Sequence, residues 1–452
     1  MKKLILFAPI FLLCFIPFYG SSQQVPEQYI SAGLNNNLVL QDKKVTLEKS
    51  LVSLKEAKSL FLPTTWVEGQ YSLAQGGRSI DIPVGDLVNP VYKTLNQLTG
   101  TNSFPTINNV SEQLLPNNFY DLRLKTTMPL INPDLKYNRE IRQEQSQLKQ
   151  NEIDIYKREL VKEIKIAYYN FLQSTKAILI YQNALEVVNQ NLRVNQSLLA
   201  NGKGLPAYVS RSESEVKQVE SQLQNAINAK LNAKAYFNFL LNKPLTDSVA
   251  VAETDDAAIS NNLFVNIEPD IKNREELSSW KIATDINDLI QRMNRSYKTP
   301  RLNAFVDLAS QGYKFKVDSK SIFYLAGLQV QVPIFSGKRN LYKIEQTQLD
   351  AKAIYLNKKQ TEQQLELSAF TSRNNAVTAY NTYNASLKQQ ESARQYFKLI
   401  DRGFKEGVNS FIEYLDARNQ LTNAQVQTNI NQYKVLVALA DYERQTSSYS
   451  FK

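Results

Sequence analysis

Between Gly337 and Gly403 the chain reads KRNLYKIEQTQLDAKAIYLNKKQTEQQLELSAFTSRNNAVTAYNTYNASLKQQESARQYFKLIDR, 65 residues without proline or glycine. This run predicts one helix over 338–404, about 100 Å long at about 1.5 Å per residue. Its bulky apolar residues Leu349, Leu356 and Phe370 recur at multiples of seven. A sustained seven-residue repeat predicts a left-handed coiled coil.

A second long helix is predicted in the first half of the chain, over 134–201. Pro133 and Gly202 bound a run without helix breakers. Apolar residues recur at every seventh position on its main seam: Ile164, Phe171, Ile178, Leu185, Leu192 and Leu199. Two helices of equal length, one in each half, predict an internal repeat.

The composition excludes most catalytic and metal sites. The 452 residues include no histidine, and the only cysteine is Cys14. Zinc and copper sites depend on these side chains, and no phosphate loop or nucleophile elbow is present. We therefore expect no enzyme, no catalytic residue, no metal and no cofactor. The basic excess of ten charges forms no cluster with aromatic residues, so no nucleic-acid partner is expected.

The first 22 residues are typical of a secretory signal peptide. Lys2 and Lys3 precede an apolar run that ends near Phe18, and small residues follow at Gly20 to Ser22. The apolar run is about fifteen residues long, whereas a transmembrane helix needs about twenty. The sequence therefore predicts export of the chain, with cleavage after Ser22.

Four segments alternate between apolar and polar residues, as half-buried strands do. They are 64–74, 119–131, 301–309 and 321–332. In the second, Leu122 and Leu124 alternate with Arg123 and Lys125. The segment 75–118 is rich in turn-forming residues, and we expect a long excursion with one short helix at 91–98.

The order of elements repeats, which predicts two tandem units of helix, strand, strand, long helix, turn and helix. The first repeat is expected at 23–242, with its other helices at 25–62 and 207–242. A connection at 243–270 leads to the second repeat at 271–446, with its other helices at 274–297 and 411–442, and a tail at 447–452. Gly204 and Gly407 are equated, as are Glu213 and Asp416, both pairs at an offset of 203 residues.

Strands of 9–12 residues with one apolar face are the length and pattern of a transmembrane β-barrel. Four strands cannot close a barrel, and an open edge is not tolerated in lipid, so several chains would contribute to one barrel. The alternative is a soluble four-stranded sheet covered by helices.

Three sequence motifs resemble those of the TolC-type outer-membrane efflux family. They are VPIFSG at 332–337, its counterpart MPLIN at 128–132, and FKEGVNSFIEYLDAR at 404–418. The resemblance covers nearly all of the chain after the signal. It implies a homotrimer in the bacterial outer membrane, with a 12-stranded barrel and a periplasmic coiled-coil tunnel of twelve helices. It also implies docking to a periplasmic adaptor and an inner-membrane RND or ABC pump, as a passive conduit for efflux or type I secretion.

The resemblance assigns roles to particular residues. The adaptor would dock at the two helix-turn tips, formed by Gly202, Gly204, Leu205 and Pro206 and by Gly407, Val408, Asn409 and Ser410. Asp401 and Glu406 would form an aperture ring, although Arg402 and Lys405 lie beside them and surface ion pairs are the alternative. Arg123 and Lys125 would line the barrel lumen and favour anionic cargo, unless they pair with Asp121 or Asp307. Outer-membrane lipid would contact Leu122, Leu124, Ile322, Leu328 and Val330.

A second hypothesis needs the helices only. A secreted coiled-coil scaffold or adhesin would contain the same long helices without entering the membrane. The two-faced strands distinguish the two hypotheses, because a scaffold does not require a lipid-facing surface. The sequence leaves the exported substrate open.

Overall fold

A computed structural model describes residues 27–251 and 270–451 of the chain. The signal peptide and most of the connection at 243–270 lie outside the described residues. The helices are α1 Glu27–Asn36, α2 Leu38–Ser59, α3 Val84–Thr99, α4 Pro133–Ala200, α5 Pro206–Leu240, α6 Glu275–Arg295, α7 Arg339–Lys405 and α8 Phe411–Thr446. The strands are β1 Thr64–Ser72, β2 Ser79–Ile82, β3 Val110–Gln113, β4 Phe119–Ile131, β5 Arg301–Tyr313 and β6 Ile322–Gln331.

The chain divides into two compact units, each of which draws on both halves of the sequence. The first comprises residues up to Glu48, Gln147–Ala283 and the chain from Ala353 onward. The second comprises Lys49–Ser146 and Thr284–Lys352. The first unit is helical, and the second contains the strands.

The first unit is built around α4. Its largest apolar cluster contains Ile164 and Phe171 of α4 and residues from α1, α5, α7 and α8. Both residues belong to the seam predicted for α4, and both are buried. A heptad seam in α4 therefore packs inside the chain, as its spacing predicts.

The seam predicted for α7 does not pack within one copy of the chain. Leu349, Leu356 and Phe370 are 63%, 55% and 55% exposed in the chain. The buried residues recur at steps of three, four or seven on another face: Leu365, Ala369, Ser372, Ala376, Tyr383, Ser386 and Ala393. The packed face of α7 is less hydrophobic than its exposed face, because most of its residues are small. Small residues at these positions let neighbouring helices approach closely.

The single helix predicted at 25–62 is interrupted at Asn37, which separates α1 from α2. Its side-chain Oδ1 accepts a hydrogen bond from the Leu40 N–H at 3.1 Å, and its Nδ2 donates to the Leu240 carbonyl at 3.1 Å. Asn37 is buried. The asparagine therefore caps α2 and ties it to the end of α5.

The second unit contains a four-stranded antiparallel sheet in the order β1-β4-β5-β6. The predicted strand 301–309 continues to Tyr313, because Ser310 to Tyr313 pair with the beginning of β4. Polar Gln311 and Gly312 interrupt the alternation there, which hid the extension from pattern reading. Strands β1 and β6 form the two edges of this sheet.

The register gives the sheet one apolar and one polar face. Val67, Leu124, Leu308 and Tyr324 are successive partners across the four strands, and side chains of paired residues project to the same side. The next row on the opposite face contains Trp66, Lys125, Asp307 and Leu325. The alternation seen in each strand thus becomes a continuous surface property of the whole sheet.

The excursion at 75–118 is more structured than expected. Strands β2 and β3 pair antiparallel, and α3 is twice as long as the helix expected at 91–98. Asn89 exchanges two 2.8 Å hydrogen bonds with the Ile107 backbone, and Asn96 exchanges bonds of 2.9 and 3.1 Å with the Phe104 backbone. These side-chain amides pair with backbone N–H and C=O groups as a neighbouring strand would. The periodicity of apolar residues in the sequence does not reveal such contacts.

Candidate functional site

The turn between α4 and α5 is closed by backbone hydrogen bonds of the Schellman type. The Lys203 N–H donates to the Leu198 carbonyl at 2.8 Å, and the Gly202 N–H donates to the Leu199 carbonyl at 3.0 Å. Gly202 has φ +69°, which glycine adopts without strain. Pro206 then occupies the first position of α5. The predicted tip residues therefore form one compact reversal.

The turn between α7 and α8 repeats this geometry. The Val408 N–H donates to the Gly403 carbonyl at 2.8 Å, and the Gly407 N–H donates to the Phe404 carbonyl at 3.1 Å. Gly407 has φ +76°. The left-handed glycine that corresponds to it in the first turn is Gly202, not Gly204 as the sequence offset implied. Gly204 instead lies against the end of α4, where a Cβ would come within 2.8 Å of the Leu199 nitrogen.

Ser410 begins α8 with a capping box. Its hydroxyl accepts a hydrogen bond from the Glu413 N–H at 3.2 Å, and its own N–H donates to the Glu413 carboxylate at 2.7 Å. The hydrogen bonds that the Glu413 carboxylate accepts from the Ser410 N–H and hydroxyl lower the pKa of Glu413. Nearby, Val408 is 78% exposed, and Leu205 and Ile412 are also exposed. The tips thus combine rigid turns with accessible apolar side chains.

A cavity of about 730 Å³ lies between the two helical hairpins at this end of the first unit. Five of its lining residues are aromatic, and Tyr208 contacts Phe411 with ring centroids 5.0 Å apart. Its lining includes both turns, with Gly204, Gly407 and Asn409, together with Phe397, Phe404 and Tyr414. The cavity could accept an apolar side chain against its aromatic rings, and Asp401 and Lys405 also line it.

The two predicted aperture residues are engaged in ion pairs along α7. Asp401 accepts from Lys405 at 2.7 Å, and Glu406 accepts from Arg402 at 3.0 Å. Both pairs span four residues, and their basic side chains are largely exposed. Exposed pairs of this kind contribute about 0.3–0.5 kcal/mol on a helix. Surface ion pairs with Arg402 and Lys405 are the alternative to an aperture ring that the sequence left open.

A buried polar layer lies beside the cavity and was missed by pattern reading. Arg418 of α8 donates to Glu215 of α5 at 2.7 Å, and each side chain is 3% exposed. Burial lowers the pKa of Arg418, and the Glu215 carboxylate opposes this effect. Asn195 donates to Asn191 at 3.0 Å and to Ser212 at 2.8 Å in the same layer. The sequence signal for this layer was a charged residue in an apolar seam, since Glu215 directly precedes the buried Val216.

The polar face of the sheet contains both predicted lumen residues, each beside a carboxylate. Arg123 donates to Asp121 at 2.6 Å, and Lys125 lies 2.5 Å from Glu68. Lys125 is also opposite Asp307 in the register. Arg123 and Lys125 therefore face Glu68, Asp121 and Asp307 on this surface, so the expected preference for anions is not supported by its charge.

The apolar face carries all five residues expected to contact lipid. Leu122 and Leu124 lie on β4, and the other three, Ile322, Leu328 and Val330, lie on β6. All five are exposed in the chain, and Leu328 is 66% exposed. The sheet thus presents a broad apolar surface without helices packed over these side chains.

The described residues lack two other kinds of site. Across 27–251 and 270–451, no helix is both long enough and apolar enough to cross a membrane. The same residues contain no group of three or more side chains suited to hold a metal ion.

The sequence of residues 288–443 matches the family described as "Outer membrane efflux protein". No curated protein sequence matches the chain. Several solved structures are similar over 93% of it. The transmembrane channel protein CusC has a TM-score of 0.75 at 13% identity, with 91% of its chain covered. The Campylobacter jejuni outer membrane channel CmeC has 0.72 at 14%, with 85% covered. The Vibrio cholerae outer membrane protein VceC has 0.72 at 12%, with 95% covered.

At these identities the similar structures show the fold, while the family match covers the second long helix and most of the helix that follows it. The fold agrees with the TolC-type resemblance of the sequence motifs. Residues 288–443 thus match the outer membrane efflux protein family, and the described chain has the fold of CusC, CmeC and VceC.

Proposed function

We propose that three copies of this chain form a passive export conduit, to which each contributes four strands of a 12-stranded barrel and the helices of a periplasmic tunnel. The observation that carries the proposal is the sheet with one continuous apolar face and two edge strands, β1 and β6. In lipid every backbone group must be paired, so β1 of one copy would pair with β6 of the next.

The exposed stripe of α7 supports the same assembly. Leu356, Leu367 and Phe370 are 55%, 64% and 55% exposed on a helix whose opposite seam is already packed. Contiguous apolar surface of this kind marks an interaction site in a soluble environment. Helices of a neighbouring copy would cover it in the trimer.

The two tips would dock a periplasmic adaptor, which in turn joins an inner-membrane pump of the RND or ABC class. Support comes from the rigid turns, the exposed Leu205 and Val408, and the aromatic cavity between the hairpins. An adaptor helix tip with an aliphatic side chain would fit this cavity.

A matched pair of variants tests membrane insertion. Leu328→Lys places a charge on the apolar face of β6, where a lysine at the bilayer centre costs about 2–4 kcal/mol. Gln329→Lys places the same charge on the polar face one residue away. We expect Leu328→Lys to remove the trimer from outer-membrane fractions and Gln329→Lys to retain it, measured by trimer-specific electrophoretic mobility. Equal retention of both would favour the secreted scaffold instead.

A second experiment tests docking. A photocrosslinking residue at Val408 should capture the adaptor in the native cells, and the same residue at Lys388, exposed on the shaft of α7, should not. Mass spectrometry of the captured protein would identify the adaptor. Crosslinking at both positions, or at neither, would contradict docking at the tips.

A further inference from the structure

The apolar face of the four-stranded sheet ends in a cluster of three aromatic rings. Tyr71 of β1 and Tyr120 of β4 are register partners, and Tyr120 lies two residues before Leu122 and therefore on its face. The ring of Phe315, in the turn after β5, stacks on both tyrosines, with centroid distances of 4.8 Å to Tyr71 and 5.5 Å to Tyr120. The interplanar angles are 17° and 8°, so the three rings are nearly parallel.

The turn between β5 and β6 holds Phe315 in a strained backbone conformation. Lys314 and Phe315 have φ values of +53° and +54°, a region that residues other than glycine adopt at a cost. The Tyr120 hydroxyl donates to the Lys316 carbonyl at 3.1 Å. Gly312 leaves room for this contact, because a Cβ there would come within 3.2 Å of the Tyr120 ring and of the Lys316 carbonyl. The surrounding contacts therefore fix Phe315 against the end of the apolar face.

The same turn is basic. Lys314 and Lys316 flank Phe315, and Lys320 follows four residues later. All three lysines are exposed, and none of them forms an ion pair with any residue of 27–251 or 270–451. The one carboxylate of the turn, Asp318, accepts hydrogen bonds from the backbone N–H groups of Lys320 and Ser321 at 2.9 and 3.0 Å. Three cationic side chains are thus left to meet an anion from outside the chain.

The position of the turn indicates what that anion is. Strands β4 and β6 lead to the long helices α4 and α7, so the turn lies at the opposite end of the sheet, which is the outer end in the proposed conduit. Aromatic residues at the end of a lipid-facing surface lie at the level where hydrocarbon meets the headgroups. Lysines directly beyond such residues reach the headgroup layer, where they attract anionic lipid.

We propose that Lys314, Lys316 and Lys320 bind the phosphate groups of an anionic lipid of the outer leaflet, whose acyl chains lie along the apolar face beside Phe315. The inference rests on the proposed insertion of the sheet into the outer membrane. Ammonium groups form charge-assisted hydrogen bonds with phosphate oxygens. The stacked ring fixes the backbone that carries two of the lysines, which lowers the cost of ordering the site. A soluble anion would meet the same lysines but would gain nothing from the apolar face.

Native mass spectrometry of the purified trimer tests the site, with bisphosphorylated lipid A as the probe. We expect the unaltered trimer to retain this lipid, and Lys314→Gln combined with Lys316→Gln and Lys320→Gln to lower retention at least about tenfold. Replacing the same three lysines by arginine keeps the charge and should keep the lipid. The matched control, Lys44→Gln with Lys49→Gln and Lys55→Gln, removes three exposed lysines of α2 and should leave retention unchanged.

Equal retention by the unaltered trimer and the glutamine variant overturns the inference, and so does an unaltered trimer that retains no lipid A. Displacement of the lipid by inorganic phosphate alone would assign a free-anion site and would also overturn it. If the glutamine variant does not assemble, the unaltered trimer decides the question, because it should retain bisphosphorylated lipid A better than the monophosphorylated form; equal retention of the two contradicts the site. Absence of the unaltered protein from outer-membrane fractions would instead contradict the proposed conduit.

Discussion

Arg444, near the end of α8, donates to Glu276, in the first turn of α6, over 2.8 Å. The same carboxylate oxygen accepts from Arg274 at 2.8 Å. Arg444 also donates to Glu159 of α4 at 3.1 Å. Three helices of the first unit are therefore joined where α8 ends, and this network explains why α8 continues to Thr446 although the return helix was expected to end at 442.

The network predicts a loss of stability in acid. Burial raises the pKa of Glu276, but the hydrogen bonds and charges of Arg274 and Arg444 outweigh it and lower the pKa to about 2. The ordinary value is 4.5, so the contribution is complete above about pH 4.5 and is lost as pH falls toward 2. We expect Glu276→Gln to remove up to about 3 kcal/mol at pH 7. Its thermal midpoint should fall less than that of the unchanged protein between pH 7 and pH 3; parallel falls would contradict the assignment.

The capping box of α8 predicts local fraying when it is removed. Ser410→Ala deletes the acceptor for the Glu413 N–H and should cost about 1 kcal/mol. Because the tip is far along the helices from the main apolar cluster, the loss should appear as faster amide exchange in a peptide covering 405–415. Exchange in a peptide from the middle of α4 serves as the internal control. Unchanged exchange at the tip would mean that Gly407 and its backbone hydrogen bonds suffice.

The charge of the polar sheet face predicts the ion preference of the channel. Lys125→Met removes a lysine that is close to Glu68 and opposite Asp307. We expect the reversal potential in a salt gradient to shift toward cation selectivity. The matched change Lys388→Met, on an exposed part of α7, should have no effect. An unchanged reversal potential after Lys125→Met would show that this face does not line the conducting path.

The exposed stripe of α7 predicts which changes separate the copies. Leu367→Gln with Phe370→Gln should weaken the trimer and leave the helices of each copy folded, because these side chains have few contacts within the chain. Ala369→Gln, at a fully buried position between them, should instead lower the helical melting temperature. Light scattering and circular dichroism distinguish the two outcomes. Loss of helix in the first variant would mean that the stripe packs within one copy.

The sequence predicted the elements whose signal is long or regular. Helix α4 begins and ends within one residue of expectation, because Pro133 and Gly202 bound a run with a strong heptad seam. The apolar and polar faces of β4 and β6 could be predicted from the alternation of apolar and polar residues alone. The buried face of α7 could not be predicted from the sequence, because Ala369, Ser372 and Ala376 carry little hydrophobic signal although they are buried.

Contacts between distant segments were beyond sequence reasoning. The break at Asn37 depends on a carbonyl of Leu240, and the pairing of Glu215 with Arg418 depends on how two helices meet. In the same way, Asp401 and Glu406 could be assigned to an aperture only by analogy. Each carboxylate forms an ion pair with a basic residue four positions away on the same helix, as the sequence spacing allows.

The amide groups of Asn89 and Asn96 hold the segment 75–118 together through hydrogen bonds, as an apolar core holds a larger domain together. Two side chains hold the helix against the following backbone, and none of their four hydrogen bonds depends on which residues cover the remaining surface. Substitutions on the remaining surface of this segment should therefore leave its architecture intact, whereas substitutions of Asn89 or Asn96 should not.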